Sequence, residues 1–541
     1  MFRPSSVSPM RPFLGTHGVA LAMISVCVLS TIVTATPSSG DQGVMRKGIS
    51  FPSWTSGEYS SRYPDFALAD LAATGANWVA IMVTGFQNTV SSTALDGPIT
   101  PSDADLLHAI AQAHNLGLKV MLKPHVDLTG FSTWRGFIGQ GFTEEQWGQW
   151  FGSYQAFVNY YAQFAQDHGV ELFCVGVELQ ATQQRANDWR NVIAGVRSRY
   201  RGPITYAATN GWPQVAGGTP AATDTDIRWW DAVDYIGVDA YYGLTNEKDP
   251  TLEELRSSWR SISMKLAELA STWNKPVIFP EIGYRSLDGA NRNPGDYQVK
   301  GEVDVQEQAD CYRAAFEAVY DQPWFRGMFW WSWDTRASWG GPCNDDYTPH
   351  LKPAEDVLRE WYGGPPGPGP AVALQPDYSR VLEVYDDELS AGWADWSSGA
   401  TVDLAASDKV HGGSRAISVA SQAWGGLYLH HDPIPAGPFY WLEFFVFAST
   451  PALRLQVSLE DEEGMRPPVV LDCRHVEAGT IDQGVWKRVM VPLDDLGARG
   501  ISLVRLNIQN FTSAAAAFSI DDIRFVSGKP FRIRRKLRSS Q

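Results

Sequence analysis

Val277-Ile278-Phe279-Pro280-Glu281-Ile282-Gly283-Tyr284 is the stretch on which the reading of the fold turns. Asn274-Lys275-Pro276 breaks whatever precedes it and Gly283 follows. The β-branched and aromatic run between them therefore reads as a short buried strand that delivers one carboxylate, Glu281, at its end. A charge in that place is either paired with a cation for structural reasons or is there to act. Leu172-Phe173-Cys174-Val175-Gly176-Val177-Glu178 has the same construction, an apolar strand ending in one Glu. The two glutamates lie about a hundred residues apart, close to three strand-plus-helix units of roughly 30 residues each, which puts them on strands four and seven of an α/β barrel. Paired carboxylates on one barrel are what a glycosidase requires.

Six further strand candidates fit around these two: Arg46–Phe51, Asn77–Val83, Leu118–Lys123, Pro203–Ala208, Val233–Asp239 and Met328–Trp333. Each is followed by a stretch of helical character, among them Pro64–Thr74, Asp103–Asn115, Glu144–His168, Leu252–Trp273, Val305–Tyr320 and Pro353–Trp361. The expected fold class is α/β, a (β/α)8 TIM barrel over residues 45–362. Trp54, Pro124-His125-Val126-Asp127, Asn210-Gly211-Trp212 and Tyr241-Tyr242 follow strand ends and would sit at the rim. The Gly- and aromatic-rich loop that runs on from Asp127 to about Thr143 has a length usual for functional loops. Helix Glu144–His168 is rich in Trp, Tyr and Phe, which read as packing against the barrel.

Residues 363–377 open with Gly363-Gly364-Pro365-Pro366-Gly367-Pro368-Gly369-Pro370, a semi-rigid linker. From 378 to 528 short alternating runs predict an all-β sandwich. Residues 529–541 form a basic tail that reads as solvated, contact with an anionic cell-surface polymer being the other possibility. At the other end, Arg3, Arg11, the apolar run Gly18–Val33 and Val33-Thr34-Ala35 read as a signal peptide over 1–35, with an uncleaved anchor as the alternative. The mature chain is thus expected to be secreted, extracellular and without a membrane span. A formal net charge of −16 argues against nucleic-acid binding by the body of the protein and fits an uncharged substrate. The 22 tryptophans are either core or sugar-stacking faces. Cys311 and Cys343 are candidates for a bridge in an oxidising compartment, and Cys174 reads as a small core residue.

Glu178 after strand four, Glu281 inside Pro280-Glu281-Ile282-Gly283-Tyr284, and the aromatic strand eight together resemble the clan A retaining glycoside hydrolases. Within that clan the chain most resembles the family 113 β-mannanases, through Leu122-Lys123-Pro124-His125, Val175-Gly176-Val177-Glu178-Leu179, Ala207-Ala208-Thr209-Asn210-Gly211-Trp212 and the segment around Glu281, over roughly residues 45–362. The resemblance implies a retaining hydrolase of β-1,4-mannosidic bonds, with Glu178 as acid/base and Glu281 as nucleophile; the expected enzyme is a monomer with no cofactor or metal. It implies a tyrosine, Tyr241 or Tyr242, donating to Glu281, Trp331 or Trp333 under the sugar being cleaved, and Trp54 and Trp212 at neighbouring subsites. Lys123, His125 and Asn210 are placed either to bond sugar hydroxyls or to fill a barrel layer. A metal site on His125 and Asp127 lacks further ligands at a recognisable spacing. One departure stands out: many clan A families carry Asn immediately before the acid/base, and here Val177 occupies that position. Two other readings stay open, a β-glucanase or other cell-wall glycanase with the same chemistry, and a non-catalytic carbohydrate-binding protein. In the second domain, Asp386-Asp387 and Ser519-Ile520-Asp521-Asp522-Ile523-Arg524-Phe525 resemble jelly-roll carbohydrate-binding modules.

Overall fold

The computed structural model describes residues 44–532 apart from 61, 132, 211–225, 337–338, 366–371, 467 and 499–500. The leader read at 1–35, Trp212 and the tail beyond Arg532 lie outside the described residues.

Eight strands run in parallel: β1 Arg46–Phe51, β2 Trp78–Gln87, β3 Lys119–Leu128, β4 Leu172–Val177, β5 Ile204–Thr209, β6 Tyr235–Asp239, β7 Val277–Ile282 and β8 Phe325–Trp330. Each pairs with the next, and β8 pairs back onto β1, closing the barrel. Around it lie α1 Arg62–Ala73, α2 Asp103–Asn115, α3 Glu144–Asp167, α4 Ala186–Arg197, α5 Leu252–Trp273, α6 Val305–Val319 and α7 Pro353–Tyr362. Between β5 and β6 the described residues include the 3-10 turn Trp230–Ala232.

The local sequence explains the helix starts. Ser102 with Asp105, Thr143 with Gln146 and Thr251 with Glu254 each form a reciprocal capping box, satisfying amide groups that the first turn leaves open. The aromatic face of α3 is core: Trp150 is fully buried, stacks on Tyr154 at 4.9 Å and donates to Gln87 Oε1 at 2.9 Å.

Three strand readings change by three residues or more, those of β2, which runs on to Gln87, β3 and β8. The sequence puts Pro124–Asp127 in a loop, yet β3 runs on to Leu128, paired residue for residue with β2 as far as Gln87. On its other side β3 pairs with β4 only at Met121 and Leu122. Beyond Leu122 the strand is an edge on that side, where the N–H that Pro124 lacks is not required. β8 starts and ends three residues earlier than its reading, ending at the last residue that pairs with β1 and β7, so Trp331 and Trp333 lie past the strand.

The second half is one antiparallel sheet that curls over on itself: β9 Val372–Asp386, β10 Ser398–Ala406, β11 Ala416–Pro435, β12 Trp441–Ala448, β13 Leu455–Asp461, β14 Trp486–Pro492, β15 Ser502–Asn510 and β16 Ala516–Arg532. The long β11 pairs with β16 through its first part and with β15 through its second, carrying the chain from one layer to the other. The inward residues of both layers share one apolar core. Val372–Asp377, assigned to the linker in the sequence, pair with Ser527–Arg532, so the sheet reaches into both the linker and the first residues of the basic tail.

The expected pairing of Cys311 with Cys343 is replaced. Cys343, in the loop after β8, is bonded to Cys473 of the second domain, with Cα atoms 6.2 Å apart. Cys311 is a buried free thiol in the core of α6. Cys174 is also free, and burial pushes its thiol up to about 12. Beside the bridge the Arg474 guanidinium lies 4.4 Å from the Trp339 ring, so the two halves are joined by packing as well as covalently.

Candidate active site

Glu281 sits in β7 beside Asp239 of β6, and its main-chain carbonyl accepts from Ala240 N at 2.7 Å. Its side chain is held at both oxygens. Lys123 Nζ donates to Oε1 at 2.5 Å and the Tyr241 hydroxyl donates to Oε2 at 2.9 Å. Lys123 is fully buried on β3. Burial alone disfavours its ammonium, but the carboxylates of Glu281 and Asp239 outweigh that, and the net shift is upward. Burial raises the Tyr241 hydroxyl well above its ordinary range, with the Glu281 charge adding to it, so this hydroxyl remains a donor. Of the two tyrosines left open by the sequence, Tyr241 makes this bond, while Tyr242 is 9 % exposed and packs on Trp259.

Glu178 is held differently. It follows β4 with φ of +53°, a left-handed conformation uncommon for Glu and of the kind that clusters at functional sites. The neighbouring strand fixes it: Glu178 N donates to Ala207 O at 2.8 Å and Leu179 N to the Tyr206 hydroxyl at 3.1 Å. Among the described residues its carboxyl receives only long contacts, from Trp134 Nε1 at 3.3 Å and Arg135 at 3.4 Å. Arg135 is committed first to Asp127, which it grips through two bonds of 3.1 and 2.9 Å. Burial raises the Glu178 carboxyl above its ordinary range, Arg135 opposes this, and the Glu281 charge adds to it. The two carboxyl groups therefore sense one another, one gripped by a cation and a hydroxyl, the other kept inclined to hold a proton.

Around them lie the aromatic and polar groups expected at a sugar site. Trp54 is half-buried, with its ring 6.3 Å from His125 and 6.3 Å from Trp331. The Trp331 ring lies 5.8 Å from Lys123 Nζ, which places it beside Glu281. Trp333 is 1 % exposed and packs on His350 at 4.5 Å, leaving Trp331, just past β8, as the one of the two at the site. His125 is buried, with neither ring nitrogen bonded among the described residues, and burial with Arg135 and Lys123 nearby keeps it neutral. A neutral imidazole offers one donor and one acceptor to a hydroxyl. Val177 is fully buried against Cys174 and Ala207, so this position supplies no polar group where related families carry Asn. Asn210 is half-buried at the end of the described part of this rim, and Trp212 lies outside it.

Sequence reasoning did not single out Trp134, Arg135 or Asp239. The first two sit in the long loop after β3, where loop length was the available signal. Asp239 is fully buried beside Glu281 with neither oxygen hydrogen-bonded, and burial followed by the Glu281 charge raises its carboxyl well above the ordinary range. Asp127, the other half of the weighed metal pair, is occupied by Arg135. Among the described residues no group of three or more His, Cys, Asp or Glu side chains is arranged to hold a metal ion, and no helix is long and apolar enough to cross a membrane.

The sequence model of Glycoside Hydrolase Family 113 matches residues 50–352. A family 113 β-mannanase from Alicyclobacillus acidocaldarius, solved in complex with ManMIm, is 32% identical with a TM-score of 0.53, over 60% of this chain and 99% of its own. A family 113 β-1,4-mannanase is 29% identical with a TM-score of 0.52, over 60% of this chain and 100% of its own. No curated protein matches the chain.

Proposed function

Because the chain belongs to glycoside hydrolase family 113, we propose that it hydrolyses β-1,4-mannosidic bonds in mannan-type polysaccharides, with retention, through Glu281 as nucleophile and Glu178 as acid/base. The observation that carries this reading is the unequal holding of the two carboxyl groups. In the first step Glu281 attacks the anomeric carbon while Glu178 gives its proton to the departing oxygen. In the second, Glu178 takes a proton from water, which displaces Glu281. Lys123 and Tyr241 fix the attacking oxygens and offset their charge. Burial favours the protonated form of Glu178 for the first step, and the nearby Arg135 stabilises its charged form once the proton has left. Trp54 and Trp331 supply apolar faces for the sugar rings and His125 meets hydroxyls. The apolar N-terminal run supports export, the linked sheet domain supports a role in holding the polymer, and we take the working unit to be a monomer.

Reducing-sugar release from mannan, glucomannan, cellulose and xylan tests the substrate. Mannan and glucomannan are expected to be cleaved, and a preference for cellulose or xylan would replace the mannan reading by another glycanase.

The pH dependence follows from Glu178. A carboxyl raised above its ordinary value is protonated below that raised value, so kcat/KM falls as pH rises through it. Arg135 pulls this value down, so Arg135→Gln is expected to move the alkaline limb upward by about 1 pH unit, read from profiles of kcat/KM on a soluble mannooligosaccharide. A limb that stays put or moves down would remove Glu178 as the group that must carry the proton.

A further inference from the structure

The outward face of the layer formed by β11, β15 and β13 is not used by anything above. Register fixes which side chains it presents. Leu427, Ile508 and Val457 lie side by side and are fully buried in the core, as are Leu429, Leu506 and Leu459. The alternating positions therefore point away from the core: Tyr428, Asn507 and Ser458 in one row, with Gln509 beside Gln456 on one side of it and His430, Arg505 and Glu460 on the other.

Two large aromatic side chains mark the ends of this face. Trp396 donates its main-chain N–H to Tyr428 O at 2.8 Å and stacks on the His430 ring at 3.8 Å, yet 52% of it remains exposed. Trp424 is 49% exposed and meets Phe511 edge-on at 5.2 Å. From Arg505 to Phe511 is six residues of extended chain, about 20 Å, the scale of several sugar rings. Tryptophan, with a large apolar ring and one N–H donor, is enriched at surfaces that meet a partner.

The polar groups between them are neutral or neutralised. Arg505 is paired with Glu460 at 3.0 Å, and Gln456 donates to Gln509 at 3.2 Å. The face has rings, amides and a hydroxyl but no strong net charge, which disfavours a charged ligand. Asn507 gives the independent sign of a missing partner. It is only 4% exposed and donates to Ser458 Oγ at 3.1 Å and Glu460 Oε1 at 2.9 Å, while its Oδ1 has no hydrogen-bond partner. Arg505 Nε, also buried, has none either. Buried polar atoms in native proteins are nearly always satisfied. A hydroxyl donates and accepts, so neighbouring sugar hydroxyls could satisfy both atoms.

We propose that this face, from Trp396 through Asn507 to Trp424, is a second polysaccharide site that binds an uncharged mannan-type chain apart from the catalytic barrel. The choice of mannan rests on the activity assigned to the barrel, while the location rests on the sheet alone. Binding holds the enzyme on its polymer and raises the local concentration of bonds at the barrel mouth.

The test uses the full chain carrying Glu281→Gln, so that the polymer is not digested, and measures depletion onto insoluble mannan. Adding Trp396→Ala and Trp424→Ala is expected to weaken binding at least about tenfold, the loss typical of aromatic anchors. Trp396→Phe with Trp424→Phe, which keeps the rings, should stay within about threefold. In the chain with Glu281 intact, the alanine pair should leave kcat/KM on short soluble mannooligosaccharides within about twofold. Should the alanine pair fail to fold, Asn507→Ala in the same background is expected to weaken binding. Mannan binding unchanged by any of these substitutions, or no binding by the parent, overturns the inference while mannan hydrolysis stands. Tryptophan-dependent binding to cellulose or xylan alone overturns the choice of mannan, and the substrate panel then shows whether the barrel's assignment falls with it.

Discussion

Glu281→Ala is expected to lose at least about 10⁴-fold in kcat on every mannoside, whatever its leaving group, because the covalent intermediate no longer has an oxygen to form on. The leaving group's independence is the informative part. A variant that merely disturbed the pocket would recover with an activated substrate, whereas one without a nucleophile does not. Lys123 complicates the alanine variant, since its fully buried ammonium loses the partner 2.5 Å away. Removing one member of a buried pair costs about 3–5 kcal/mol, although Asp239, which also holds the Lys123 charge, remains. Glu281→Gln keeps the volume and an acceptor for Tyr241, and its unfolding midpoint separates lost chemistry from lost stability. If either variant retained a tenth of the parental rate on polymer, Glu281 would not be the nucleophile.

Glu178→Ala is expected to show the opposite pattern. General acid assistance contributes about 10²–10⁴-fold, and that loss should appear on mannan and on mannooligosaccharides, whose alkoxide leaving groups need a proton. A dinitrophenyl mannoside needs none, so its first step should run near the parental rate and product release should show a burst as the intermediate accumulates. The structure gives a reason to expect little collateral damage. Glu178 makes only two long side-chain contacts, and Arg135 keeps its paired bonds to Asp127 when the carboxyl is removed. An equal loss on both substrate types would show that Glu178 does not act on the leaving group.

What the sequence conveyed about the barrel came from strands buried on both sides. The carboxylate-bearing β4 and β7 are short apolar runs bounded by breakers, and such runs mark themselves. Where pairing rather than composition decides an end, the sequence was silent. β3 extends through Pro124 because β2 extends beside it, and β8 stops at Trp330 although Trp331-Ser332-Trp333 continues the same pattern. The strand-end glutamates were legible, but their environments were not. Lys123 reaching Glu281 from β3, and Trp134 with Arg135 reaching Glu178 from a loop, depend on barrel closure that brings distant segments together. The tyrosine ambiguity had the same origin, since adjacent residues point opposite ways and only the three-dimensional structure chooses between Tyr241 and Tyr242. Cys343 was wrongly offered Cys311 because both lie in the barrel, whereas its partner Cys473 is 130 residues away in another domain.

The central claim is that the two glutamates have distinct jobs, and the anomeric configuration of the azide products from the two alanine variants tests it most directly. In Glu281→Ala, azide enters the vacated face and the account predicts an α-mannosyl azide, inverted relative to the β-linked substrate. In Glu178→Ala with a dinitrophenyl mannoside, azide displaces Glu281 in the second step and the product is the β-mannosyl azide, with configuration retained. The reverse assignment, β from Glu281→Ala and α from Glu178→Ala, would mean that the roles are exchanged and would contradict the account.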